Sequence, residues 1–150
     1  MYPMPKPVEI EISELRKRLR AAIDKSRRGA AERRERLDAA SAAYAQFLEN
    51  KAGPLAHMLA NALRAEGYNF TVFTPNGGVR LSSAKSGDDF VEFSLDSSQP
   101  EPVVVLRVNR ARGRRVVQHE RPIRGKPVDQ LTEEDVLQAL LEELGPFVER

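Results

Sequence analysis

Arginine is concentrated near one predicted hairpin, where the side chains could bind an anion together. The cluster comprises Arg107, Arg110, Arg112, Arg114 and Arg115. Gly113 within it permits a tight turn, and a planar guanidinium group can bond two phosphate or carboxylate oxygens at once. The cluster therefore predicts an anion or nucleic-acid site, although no aromatic residue interleaves with it as base stacking would require. Two structural alternatives stay open: a solvated tip whose charge prevents aggregation, or ion pairs with the acidic C-terminal helix.

The other chemistry-bearing residues do not combine into a recognisable site. Cysteine is absent, and the two histidines, His57 and His119, are far apart in the sequence, whereas a zinc site needs three or four suitably spaced ligands. Asp88, Asp89 and Glu92 could act as acid and base or bind Mg²⁺, but Asp after Ser-Gly is also typical of a turn. Without a Walker loop, a nucleophile elbow or a dinucleotide fingerprint, the sequence predicts no enzyme activity, no metal and no cofactor.

Charge is distributed unevenly along the chain, although the net charge is only +2. Residues 12–36 contain ten basic and four acidic residues, and residues 107–126 contain eight basic residues and one acidic residue. Residues 129–150 are acidic, with seven carboxylates and one arginine. Such zones either bind partners of opposite charge or pair with one another, inside one molecule or between subunits.

The composition is that of one ordinary domain without a membrane segment. A chain of 150 residues can bury enough surface to fold without disulfides or metals. The N-terminus has no apolar core segment of the kind that signal peptides carry, and the longest apolar run, residues 103–106, is far shorter than a membrane span. The lack of cysteine suits a reducing compartment. We therefore expect a cytoplasmic protein that binds neither a membrane nor a small-molecule ligand.

The N-terminal third of the chain predicts helix, from the N-cap candidate Ser13 to about residue 50. Two apolar stripes are separated by the charged residues 24–36. The first stripe comprises Leu15, Leu19, Ala22 and Ile23, and the second comprises Leu37, Ala40, Tyr44, Phe47 and Leu48. The segment is either one long helix with a solvated middle or a helical hairpin that turns near Gly29. The heptad register of the first stripe next reaches polar residues, which disfavours a continuous coiled coil.

A change of hydrophobic period from 3.6 to 2 after Gly67 predicts a change from helix to sheet. Gly53-Pro54 is expected to end the first helical segment and to start a second one over residues 54–66. Five strands are predicted, over residues 68–74, 79–83, 90–95, 103–109 and 116–121. Their short connections, among them the turn at Asn76-Gly77, indicate an antiparallel meander. Thr132 is the expected N-cap of a final helix over residues 132–144.

The predicted fold is therefore α+β: a five-stranded antiparallel meander covered on one face by the two later helices, with an N-terminal long helix or helical hairpin. Residues 8–12 alternate strictly and are either a sixth, edge strand or the run-in to the first helix. We place an extended N-terminus and helical arm in residues 1–52. A compact helix–sheet–helix domain follows in residues 53–150, and the two parts are expected to form one folding unit.

The leading functional hypothesis is a non-enzymatic adaptor or assembly component that binds a protein partner through its helical arm. The arm carries more apolar surface than a monomer needs, and the residues expected to meet a partner are Leu37, Tyr44 and Phe47. Self-association is expected, with a dimer favoured, because most oligomers are built from identical chains. The alternative is a nucleic-acid-binding accessory protein that uses the hairpin at residues 107–115.

Overall fold

The computed structural model describes residues 7–149. Contacts between residues divide this chain into two units, with the boundary between Glu35 and Arg36. The sequence placed a boundary seventeen residues later, at Gly53-Pro54. The difference arises because Phe47, Leu48 and Ala52 are buried in the main core of the second unit.

Helix α1 runs from Ile12 to Phe47 without a break. It passes through Gly29, so the predicted alternative of a helical hairpin is wrong. One glycine among strong helix formers costs only about 1 kcal/mol, which the neighbouring residues can offset. Residues 8–11 precede the helix and form no strand, and Val8 and Ile10 are exposed. The alternative of a sixth strand is therefore also wrong, since the alternation buries no face, and these residues are the run-in to the helix.

The chain does not leave the helical path at Gly53-Pro54, where the sequence predicted an end. Leu48–Ala52 form one π-helical turn, and helix α2 follows directly over Gly53–Ala65. The wider turn lets the N–H of Gly53 donate to the carbonyl oxygen of Leu48, five residues earlier. Pro54 then occupies the first turn of α2, where its missing N–H costs little. A π-turn thus accommodates the proline that was expected to stop the helix.

After Gly67, whose φ of +92° ends the helical region, the chain forms the predicted antiparallel meander. The strands described are β1 (Phe70–Phe73), β2 (Arg80–Ser83), β3 (Phe90–Asp96), β4 (Val103–Arg112) and β5 (Arg115–Pro122). Their spatial order is the order of the sequence. Helix α3 (Glu133–Leu144) follows, and Thr132 and Asp135 form a reciprocal capping box at its start. The α+β class and the meander are confirmed.

The core of the second unit lies between one face of the sheet and the helices. Alternate residues of β4, namely Val104, Leu106 and Val108, point into it together with side chains of β3. Helical residues that complete the core are Phe47, Leu48, Ala52, Ala56, Val136, Ala139 and Leu140. The other sheet face carries the remaining residues of each strand, which are mostly polar or charged. Strand β4, which ends in the arginine cluster, is thus anchored in the core by Val104, Leu106 and Val108.

Candidate functional site

The arginine cluster lies at the end of the β4–β5 hairpin, where these two strands extend beyond the rest of the sheet. The last residue of β4 that pairs with β3 is Asn109. Beyond it, Arg110 pairs with Val117, Ala111 with Val116, and Arg112 with Arg115. Gly113 and Arg114 form the two-residue turn, with a φ of +61° at Gly113. This is a two-stranded ribbon whose geometry the short Ala-Arg-Gly connection already indicated.

Strand alternation decides which arginines lie together. Residues paired across an antiparallel ladder project from the same face, and so do alternate residues along a strand. Arg110, Arg112 and Arg115 therefore share one face of the ribbon, and Arg114 occupies the turn between them. Within residues 7–149, none of these four takes part in a salt bridge. We refer to Arg110, Arg112, Arg114 and Arg115 as the tip arginines.

The base of the ribbon is braced by the loop between β2 and β3. The carboxylate of Asp89 accepts a hydrogen bond of 2.7 Å from the backbone N–H of Ala111. Asn109, which is only 4% exposed, donates from Nδ2 to the carbonyl oxygen of Asp88 over 2.6 Å. These bonds give Asp88 and Asp89 structural roles in the turn. Asp89 forms no salt bridge with the tip arginines among the described residues.

Arg107, the fifth member of the predicted cluster, lies apart from the tip. Its Nε is 3.1 Å from Oε1 of Glu120 on β5. The strand register continues this row across the sheet, since Arg107 is opposite Glu92, Glu92 opposite Arg80, and Arg80 opposite Phe73. Arg80 and Glu92 form a second pair at 3.3 Å. Arginine and glutamate thus alternate along one row of the helix-free sheet face, which leaves Arg107 neutralised.

The carboxylates near the end of the acidic helix α3 pair with residues of β5 below the tip. Nη1 of Arg121 is 2.6 Å from Oε2 of Glu142 and 3.3 Å from Oε1 of Glu143. These contacts raise the pKa of Arg121 and lower the pKa of Glu142, chiefly through the hydrogen bond that joins the two side chains. Nε2 of His119 is 2.9 Å from the same Glu143. His119 and Arg121 of β5 therefore pair with the acidic helix, whereas no member of the arginine cluster forms a salt bridge with it among the described residues.

Asp135, in the first turn of α3, also pairs with cations that lie outside the tip. Asp135 accepts from Nζ of Lys126 over 2.9 Å, and Nε of Arg124 lies 3.7 Å from its other oxygen. The bond from Lys126, followed by that from the backbone of Thr132, lowers the pKa of Asp135 to about 2. The basic zone at residues 107–126 is consequently divided. Its cations outside the tip are paired with carboxylates, and the tip keeps a local excess of positive charge.

The three residues predicted to meet a protein partner have different surroundings. Phe47 is 3% exposed and packs edge-on against Phe93, with ring centroids 5.9 Å apart. Tyr44 is partly buried and stacks on Phe47. Its burial, together with the charge of Glu92, raises its pKa to about 12. Leu37 remains 40% exposed. The packing of the core therefore accounts for Phe47 and most of Tyr44, and Leu37 keeps a surface that a partner could contact.

A more exposed apolar surface lies in the first unit, on residues 12–35 of α1. It comprises Ile12, Leu15, Leu19 and Ile23, which are 68%, 56%, 56% and 41% exposed. Their spacing of three, four and four residues places them on one face of the helix. We call this set the apolar stripe. The helical period of Leu15, Leu19 and Ile23 is a local signal in the sequence, whereas their exposure becomes evident only in the structure.

The charges around the apolar stripe are sorted by side of the helix. At 3.6 residues per turn, successive residues are rotated by about 100°. The positions that border the stripe on its two sides hold only basic charges in this segment: Arg16, Arg20, Arg27 and Arg34 on one side, and Arg18 and Lys25 on the other. The four acidic residues of the segment lie farther round, towards the back: Glu14, Asp24, Glu32 and Glu35. Only one helical ion pair is formed here among the described residues, between Arg18 and Glu14 at 3.1 Å.

The cavities of the second unit are shallow. One of about 250 Å³ opens on the helix-free sheet face beside Phe90, Arg107, Asn109 and Gln118. Another, of about 480 Å³, lies beside the π-turn and is largely apolar, with His57 and Glu49 at its border. Within residues 7–149 no three metal-ligating side chains come together. These cavities do not bring the candidate acids, bases and histidines of the sequence into one constellation.

Comparison with protein-family models, with curated proteins and with solved structures found no match for this chain. Among the helices described, none combines the length and the apolar character that crossing a bilayer requires. The two surfaces of this chain with features suited to binding a partner are the tip arginines and the apolar stripe.

Proposed function

We propose that the protein is a non-enzymatic adaptor whose residues 12–35 bind an acidic amphipathic helix of a partner protein. The observation that carries this proposal is the apolar stripe, whose four large aliphatic side chains are each at least 41% exposed. Covering one such side chain stabilises a complex by about 1.5–3 kcal/mol relative to leaving it fully in water. Four of them in one line are typical of a helix that docks against another helix.

The charge of the partner follows from the two borders of the stripe. Both borders are basic between residues 16 and 34. A helix that covers the stripe brings its own border residues next to these arginines, where carboxylates are attracted and cations are repelled. An apolar stripe bordered by Glu or Asp is therefore the complementary surface.

A second copy of the chain, which the sequence favoured as partner, fits this surface less well. Because both borders are basic, parallel and antiparallel pairing of two copies of residues 12–36 each bring arginine against arginine. Like charges at these positions oppose pairing. We therefore propose an acidic helix as the partner, and the dimer expected from the sequence is the alternative that a sedimentation experiment tests.

The test is fluorescence anisotropy of two synthetic helical peptides titrated with the full chain. Both peptides carry leucines at helical spacing, and their border residues are Glu in one and Lys in the other. The variant Leu15→Gln/Leu19→Gln removes two stripe residues while keeping helix propensity close to that of leucine. The matched control is Lys17→Gln/Arg28→Gln, two substitutions on the back of the same helix.

The parent chain and the back-face control are expected to bind the Glu-bordered peptide with similar affinity. The stripe variant is expected to bind it at least about tenfold more weakly. Losing most of the apolar contact of two leucines should cost more than about 1.4 kcal/mol of binding free energy, which corresponds to a tenfold change in affinity. Equal affinity for the two peptides, no binding of the Glu-bordered peptide, or unchanged binding by the stripe variant would each refute the proposal.

A further inference from the structure

We infer that the β4–β5 ribbon is a second, independent binding site, which takes the phosphate backbone of double-stranded nucleic acid. This site goes beyond the proposed adaptor function, because it lies on the second unit and uses different residues. The inference starts from a difference in charge compensation. Arg107, Arg121, Arg124 and Lys126 each have a carboxylate partner within 4 Å, whereas no salt bridge occupies the tip arginines among residues 7–149.

The shape of the ribbon suits a groove. Its two strands are about 4.8 Å apart, and alternate residues along one strand are about 7 Å apart. The major groove of B-DNA, about 12 Å wide, admits a two-stranded β-ribbon. Arg112 and Arg115 are directly opposite each other beside the turn, and Arg110 is one step further back on the same face. Arginines so placed can reach phosphates on the groove walls while the narrow turn enters the groove.

The ribbon side chains favour a duplex over a single strand. Single strands are usually held by aromatic rings on which successive bases stack. The residues of the ribbon beyond Asn109 are arginine, alanine, glycine and valine, so they offer charge but no stacking surface. Phe90, the nearest aromatic in the strand register, already has the guanidinium of Arg80 over its ring at 4.0 Å. The contacts available are therefore ionic, and binding should be largely independent of base sequence.

The experiment is a salt series of duplex-DNA binding by the full chain, measured by anisotropy of a labelled random-sequence duplex. If each tip arginine neutralises one phosphate, the plot of log affinity against log salt has a slope of about −3.6. The variant Arg110→Gln/Arg112→Gln/Arg114→Gln/Arg115→Gln is expected to lose most of the affinity and most of this slope. Its matched control is Lys17→Gln/Arg28→Gln/Arg64→Gln/Lys85→Gln, which removes the same charge from exposed positions outside both proposed sites and should keep both the affinity and the slope.

Single substitutions provide a second test in case the quadruple variant does not fold. Arg112→Gln and Arg114→Gln alone should each reduce the magnitude of the slope by about 1, and both positions are exposed. The inference is overturned if the parent chain does not bind the duplex at low salt, or if both quadruple variants lose affinity equally. It is also overturned if single-stranded DNA or vesicles of anionic lipid bind as tightly as the duplex. Because neither quadruple variant changes the apolar stripe or its basic borders, failure here leaves the peptide-binding result unaffected.

Discussion

Arg121 of β5 donates to Glu142 of α3 over 2.6 Å, and this contact joins the outer strand of the sheet to the helix that covers it. The contact also pairs a residue of the basic zone at residues 107–126 with a residue of the acidic zone at residues 129–150. Three carboxylates of α3, those of Asp135, Glu142 and Glu143, pair with Arg121, His119, Arg124 and Lys126, and none of the described ion pairs of α3 involves the tip arginines. The positive charge at the hairpin tip therefore remains available for a ligand.

The capping pair at the start of α3 predicts a specific loss of stability in acid. The pKa of Asp135 is lowered to about 2, chiefly by Lys126. A carboxylate whose pKa is lower in the folded state stabilises the fold above its unfolded pKa of about 4, and this contribution is lost as the pH falls towards 2. In urea unfolding followed by circular dichroism, Asp135→Asn should be less stable than the parent at pH 6, and the difference should shrink by pH 2. A difference that does not change with pH would show that the ionised carboxylate is not responsible.

Two glycines of the same helical run predict opposite effects of alanine. A Cβ on Gly53 would lie 2.7 Å from the carbonyl oxygen of Leu48, a backbone atom that cannot move without disturbing the π-turn. Gly53→Ala should therefore destabilise the fold by about 1–3 kcal/mol. A Cβ on Gly29 would meet only the flexible end of Arg33, at 3.2 Å. Gly29→Ala should raise helix content, because alanine is favoured by about 1 kcal/mol within a helix. Thermal unfolding of the two variants is compared by circular dichroism of the helix signal. A Gly53→Ala variant as stable as the parent would contradict the role of the π-turn.

The partly buried phenol of Tyr44 predicts a loss of stability in alkali. Its pKa is raised to about 12, first by burial and then by the charge of Glu92. An acid whose folded pKa is raised stabilises the fold below its unfolded pKa of about 10, and that contribution disappears as the pH rises to 12. In urea denaturation, the free energy of unfolding should fall more between pH 9 and pH 11 for the parent than for Tyr44→Phe. Equal falls would mean that Tyr44 ionises as easily in the folded protein as in the unfolded chain.

The chain alone is predicted to be monomeric in sedimentation velocity at moderate ionic strength, because the basic borders of the apolar stripe oppose pairing of two copies. Raising the salt concentration screens this repulsion, so any self-association should appear at high salt and should disappear in Leu15→Gln/Leu19→Gln. A stable dimer at low salt that the stripe variant abolishes would instead identify a second copy as the partner.

The sheet was predictable because its signals are local. Alternation in β4 and β5, the Asn76-Gly77 and Gly113 turns and the Thr132 cap each decide conformation within a few residues. The continuous helix was harder, since Gly53-Pro54 is a strong stop signal in sequence and only the π-turn at Leu48–Ala52 explains how the chain passes it. The short alternation at residues 8–12 resembles a strand, but within residues 7–149 no strand pairs with it.

The candidate sites could be predicted only in part from the sequence. The hairpin arginines could be found from composition, but separating Arg107 from the tip required the register that places it beside Glu120. In the helix, Tyr44 and Phe47 form the more apolar of the two stripes, and hydrophobicity alone cannot tell a core residue from an interface residue. Phe47 packs on Phe93, a residue 46 positions away in the numbering, and such long-range packing is not encoded in local spacing.

The proposed complementarity of charge around the apolar stripe is tested most directly by a charge-reversal cycle. The parent chain and the variant Arg16→Glu/Arg18→Glu/Arg20→Glu/Lys25→Glu/Arg27→Glu, which reverses the charge of both borders, are each titrated with the Glu-bordered and the Lys-bordered peptide. Glutamate is a good helix former, and the apolar stripe is unchanged in the variant. We predict that the parent prefers the Glu-bordered peptide and that the variant prefers the Lys-bordered one. If the variant keeps the preference of the parent, or if neither chain distinguishes the peptides, the basic borders do not select the partner and the proposal is contradicted.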